Sequence, residues 1–175
     1  MTSSRLACEP GPAVIARQII DSNRYLTLAT ADSAGRPWAC PLWYAHEDYT
    51  SFMWVSRPGA RHSRNIAARA TVSAVIFDST VSEARTQAVY LEARAEELTG
   101  AECERAIAIF SRRSRALGLT EWGTADVTER APHRLYRASA SASTSSRPAT
   151  SGCPSRSTNT TESTVRWIPG RKDPR

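Results

Sequence analysis

Residues 56–77 read SRPGARHSRNIAARATVSAVIF, and Arg61, His62, Ser63 and Arg64 are gathered in it where a helical pattern begins. The first amides of a helix have no intrahelical acceptor and carry the positive end of its dipole, so such a start suits an anion. Arg61 offers a two-pronged donor to phosphate oxygens, and His62 and Ser63 add directed donors. Gly59, just ahead of them, allows a sharp turn of the backbone. Phosphate binding is the chemistry this spacing points to. The same arginines, with Arg69, also fit a solvated helical face.

Other reactive residue types form weaker patterns. His46, Glu47 and Asp48 are adjacent but fall at an expected strand-to-strand turn, where polar residues need no function. Cys8, Cys40, Cys103 and Cys153 make no CxxC pair and no metal-ligand spacing with His46, His62 or His133, so neither a metal site nor a disulfide frame is expected. Cys40 reads either as a reactive thiol or as a small apolar residue. Trp38, Trp43 and Trp54 read as core or interface packing, with one of them able to stack on a ring. No GxSxG, P-loop or Rossmann glycine pattern occurs, which argues against the hydrolase, nucleoside-triphosphate and dinucleotide chemistries those motifs serve.

The elements that must position these residues follow from periodicity. Val14, Ile15, Ile19 and Ile20 lie on helical spacing. Strands are expected at 24–31 and 37–45, joined by a turn with Asp32, Ser33 and Gly35, then at 50–56, 71–79, 86–98 and 133–140. A short helix falls between the third and fourth strands, and an amphipathic helix covers 101–117. These elements predict a mainly β (α+β) fold, a six-stranded antiparallel barrel with peripheral helices. Barrels of this kind present ligand sites at their mouths.

At 175 residues and 41% hydrophobic, the chain is one domain's worth. It has no apolar signal core in MTSSRLACEP and no window near the roughly 18 apolar residues of a membrane span, which reads as a soluble, cytoplasmic protein with no membrane partner. The net charge of +6 is concentrated in residues 139–175, which carry +4. That segment lacks a lysine run and interleaved aromatics, so nucleic acid is not the expected partner. Its Ser/Thr/Pro-rich composition cannot bury enough surface to offset chain entropy, and the folded domain is placed at 1–138. The change is abrupt, and two sources fit it: a natural disordered extension, or a shifted reading frame near residue 139.

LATADSAGRPWACPLWY, then FMWVSRPGARHSRNIAARATVSAVIF, then TQAVYLEARAEEL resembles, in order and spacing, the FMN-binding split-barrel family of the pyridoxamine 5'-phosphate oxidases. The resemblance covers about residues 20–138. It implies a homodimeric oxidoreductase in which FMN carries hydride to or from a small-molecule substrate. Arg61 and His62 match the family's Arg-Lys pair on the FMN phosphate, with His62 in place of lysine and Ser63 beside it. Val55 and Ser56 fall where a strand end meets the flavin or its phosphate, and Gln87 where a glutamine lies near the cofactor. The strand 38–44, with Cys40 and Leu42, lies along the isoalloxazine ring. The oxidases carry an arginine and a lysine there, whereas this chain has Cys40 and Ala45, which leaves room for a deazaflavin coenzyme. Arg112, Arg113, Arg134 and Tyr136 correspond to substrate-binding positions, with Ser114 next to them. A haem or flavin carrier without turnover is the alternative function, and an inactive product of a damaged gene is a third.

Overall fold

The computed structural model describes residues 11–82, 86–128 and 130–140, together with the backbone of 165–168. Helix α1 (Pro12–Ser22) begins with proline in its first turn, where the missing N–H costs nothing. Strands β1 (Tyr25–Ala31) and β2 (Pro37–Trp43) form a hairpin whose turn is closed by Asp32 Oδ1, which accepts from the amides of Ala34 and Arg36 at 3.0 and 2.9 Å. Gly35 supplies the left-handed residue of that turn, at φ 81°. Then come β3 (Ala45–Glu47), β4 (Ser51–Ser56), α2 (Arg61–Ala68), β5 (Thr71–Phe77), β6 (Ala88–Glu97), α3 (Gly100–Ala116), a 3-10 turn (Thr124–Asp126), β7 (Arg134–Ser139) and β8 (Val165–Ile168).

The strands pair antiparallel in the order β2-β1-β5-β6-β7-β4-β3, and β8 joins at β6. β6 pairs with β5 along one side; on the other, Ala88–Leu91 meet β8 and Arg94–Glu97 meet β7. This is a mainly β split barrel with peripheral helices. Side chains alternate between faces, as strands require. On β4, Phe52 and Trp54 join the interior core with Leu26, Leu28, Ile76 and Tyr136, while Met53 and Val55 join Leu135, Ile107 and Phe110 under α3.

The six expected strands become seven up to residue 140. A single strand over 37–45 is interrupted because the Tyr44 side chain turns into the core, where its hydroxyl donates to the Ile20 carbonyl at 2.7 Å. Ala45–Glu47 then starts a new strand. His46 and Glu47 therefore lie in a strand rather than in a turn, and the reversal is made by Asp48 and Tyr49, with φ of 52° and 58°. Two consecutive left-handed residues give the twist a tight hairpin needs. Most of 139–175 lies outside the described residues; β8 is the element described there beyond Ala140.

Candidate functional site

Three elements converge at one mouth of the barrel. β1 places Thr30 there, β4 ends there at Ser56, and α2 starts after the turn Arg57–Ala60. The helix is held from inside: Asn65 Nδ2 donates to Thr30 Oγ1 at 2.9 Å, with both residues buried. Its inward stripe is His62, Ser63, Asn65 and Ile66, and Arg61 and Arg64 face solvent.

The N-terminus of α2 is bare. Its N-cap is Ala60, no side chain caps it, and no acidic residue lies in the first turn. The first intrahelical bond is Arg64 N–H to the Ala60 carbonyl, so among the described residues the amides of Arg61, His62 and Ser63 have no backbone acceptor. The Ser63 hydroxyl, in a residue only 3% exposed, turns inward and hydrogen-bonds the Tyr136 hydroxyl. Three outward amides without an acceptor fit an anion such as a phosphate. The Arg61 guanidinium lies over the Trp38 ring, 4.6 Å from its centroid, and no described carboxylate pairs with it. Arg64 donates to the Gly59 carbonyl, closing the turn. A groove of about 660 Å³ opens at this point, lined by Ser56, Arg57, Pro58, Gly59, Ala60 and Pro132.

His62 points inward instead of toward an anion. Its Nε2 is 2.7 Å from Ser56 Oγ and its Nδ1 is 3.4 Å from Cys40 Sγ. Burial holds its pKa below the ordinary imidazole value and pushes the Cys40 thiol up. His46 is shifted down too, mainly by burial and against the pull of Asp21 at 3.0 Å. A buried neutral imidazole opposes acid. The unfolded chain takes up protons first as the pH drops below about 6.5, so the stability contributed by these two groups is complete above that value and is lost beneath it. The urea midpoint is therefore expected to fall between pH 7 and pH 5, and His62→Gln to flatten that decline; an unchanged slope in the variant would exclude His62 as a contributor.

The remaining residues anticipated from sequence divide by place. Cys40 and Leu42 pack on the interior core from β2, as Ser56 does from β4. Val55 turns to the opposite face, under α3. Gln87 precedes Ala88, which pairs with Phe77, so it belongs to the far end of the β5–β6 ladder from α2. Arg134 lies opposite Ser56 in the β4–β7 register and donates to the carbonyls of Thr128, Ala131 and His133. Tyr136 stacks on Trp54 and donates to Glu97 Oε2 at 3.2 Å. Arg112 is exposed on α3, whereas Arg113 donates to the carbonyls of Ile20 and Asn23 and lies over the Tyr44 ring, tying α3 to the end of α1. Gly59 does not use a left-handed conformation, and a Cβ there would meet nothing within 4 Å. Sequence reasoning passed over the Asn65–Thr30 tie; the signal available was the i, i+3 spacing of Asn65 from His62.

Comparison with known proteins agrees with the fold. No curated protein matches the sequence. Among solved structures, the fold is similar to that of HutZ, the heme storage protein from Vibrio cholerae (20% identity, 73% of this chain and 88% of that one, TM-score 0.58). It is also similar to a heme binding protein from Mycobacterium smegmatis (25% identity, 75% and 52% of the chains, TM-score 0.60), of which this chain spans about half the length. An FAD-binding protein from Mesorhizobium loti shares 22% identity over 73% and 88% of the chains, with a TM-score of 0.53. In the described residues no helix is long and apolar enough to cross a membrane. The family model described as pyridoxamine 5'-phosphate oxidase matches residues 15–144, from within α1 to just past β7, and the chain belongs to that family.

Proposed function

We propose that the protein binds a flavin-type cofactor, FMN or a deazaflavin, at the mouth formed by β4 and α2, and acts as an oxidoreductase on a small substrate. The observation that carries this reading is the bare first turn of α2 at the rim of an open groove. In a chain of this family such a turn suits the cofactor phosphate. When bound, the flavin ring supplies the hydride chemistry. The chain's own residues bind and orient: Arg61, held over Trp38, and the amides of residues 61–63 take the anion, and the interior face of β2 lines the approach. Arg134, opposite Ser56, is the substrate-binding candidate nearest this mouth by register. The groove is open on one side and β2 is an exposed edge, which supports a homodimer whose second copy completes the site.

The test is a fluorescence titration of the protein with FMN and, in parallel, with a deazaflavin. Saturable binding is expected for one of them, and Arg61→Ala is expected to weaken it about tenfold or more, the worth of one charge-assisted contact. Unchanged affinity in the variant would overturn the phosphate site. A second reading, a haem or flavin carrier without turnover, is favoured by the likeness to the Mycobacterium heme binding protein. A Soret band on titration with haemin, with no oxidation of reduced cofactor, would select it.

A further inference from the structure

Ser56, His62 and Cys40 come from β4, α2 and β2 and form one hydrogen-bonded row across the interior of the mouth. Ser56 also lines the groove, so the row has one end in the ligand site and the other on the edge strand. A neutral imidazole carries a single N–H, so only two arrangements satisfy both contacts. In one, the thiol donates to Nδ1 and Nε2–H donates to Ser56, whose own proton then points into the groove. In the other, Ser56 donates to Nε2, and Nδ1–H donates to the Cys40 sulfur.

The short contact suits the second: an O···N separation of 2.7 Å is ordinary for a hydroxyl donor and lies at the lower edge of the range for an N–H donor. The field agrees: the bare end of α2 and Arg57 at the groove favour an oxygen lone pair, not a proton, on the groove side of Ser56. Burial that keeps His62 neutral and Cys40 as a thiol leaves the row in this state at neutral pH.

We propose that His62 is a positioning residue: fixed through Nδ1–H to Cys40, it draws the Ser56 proton inward and makes Ser56 Oγ an acceptor-only contact for an N–H or O–H group of the ligand. The anionic end of the same ligand then goes to Arg61 and the α2 amides. The mouth thus selects a molecule with a hydrogen-bond donor and an anion side by side, and rejects one that presents a second acceptor to Ser56. This rests on the groove being the ligand site proposed above.

The deciding experiment is a long-range ¹H–¹⁵N correlation on ¹⁵N-histidine protein at pH 7.5. Three histidines give three signals, and the one lost in His62→Gln is His62; if that variant does not fold, the signal shifted in Cys40→Ser identifies it. The Nδ1–H tautomer is expected, and an Nε2–H tautomer would overturn the proposal whether or not any cofactor binds. In FMN titrations Cys40→Ala is expected to weaken binding several-fold, and Cys40→Ser, which keeps an acceptor for Nδ1–H, to restore it to within about twofold. Equal affinity in all three proteins would also overturn the positioning role. If the wild-type protein shows the expected tautomer but takes no FMN, the cofactor reading fails and the arrangement of the row stands.

Discussion

Trp54→Ala is expected to lower the stability of the protein by about 3–5 kcal/mol, measured as a fall in the urea midpoint with little change in slope. Trp54 is completely buried and stacks on Tyr136 with ring centroids 6.0 Å apart and planes 14° from parallel. The two residues are also direct partners in the β4–β7 register, so the indole fills the interior where the two strands join. Its Nε1 has no hydrogen-bond partner, so truncation removes packing without orphaning a donor or acceptor elsewhere. Trp54→Phe keeps most of the ring contact and is expected to lose less than half as much. Because Ser56 is two residues further along the same face, the alanine variant should also bind ligand poorly at temperatures where it remains folded. A loss below about 1 kcal/mol would mean that this ring does not organise the interior.

The second large effect concerns the attachment of α2. Asn65→Ala is expected to cost about 1–3 kcal/mol, because the Thr30 hydroxyl is left buried without its donor. Thr30→Val orphans the Asn65 amide and should cost a similar amount. Replacing both, as Asn65→Leu with Thr30→Val, leaves neither group unpaired, so the double variant is expected to recover at least half of the summed losses. Strict additivity would show that the two side chains do not act together. FMN affinity should fall in Asn65→Ala, since the helix whose first turn meets the groove has lost its polar tie to β1.

How much of this was legible in the sequence depends on the range of the interaction involved. The β1–β2 hairpin was, because alternation and the Asp32–Gly35 turn are local. The helix after β4 was legible for the same reason. Tyr44 was not: it reads as one more residue of a strand, and only its long-range bond to Ile20 shows why the strand breaks. His62 was correctly placed in the first turn of a helix, but which way its ring points depends on β2 and β4, distant in sequence. Arg113 looks like any basic residue near a helix end, and its ties to the carbonyls of Ile20 and Asn23 appear only once α3 packs beside α1. Val55 and Ser56 are neighbours in sequence and lie on opposite faces, as the two-residue period of a strand demands.

Ala60 is a poor choice for stability. A serine, threonine or aspartate at that N-cap would add about 0.5–2 kcal/mol by satisfying an amide that now points outward. Selection for heat resistance alone, in the laboratory or in evolution, would therefore be drawn to this position early. The gain would come from a side chain standing where the anion is proposed to sit, and an aspartate would repel it outright. The first turn of α2 is thus a place where robustness and ligand capture pull in opposite directions. A consensus or thermostabilised version of the chain should be inspected there before its affinity is compared with that of the parent.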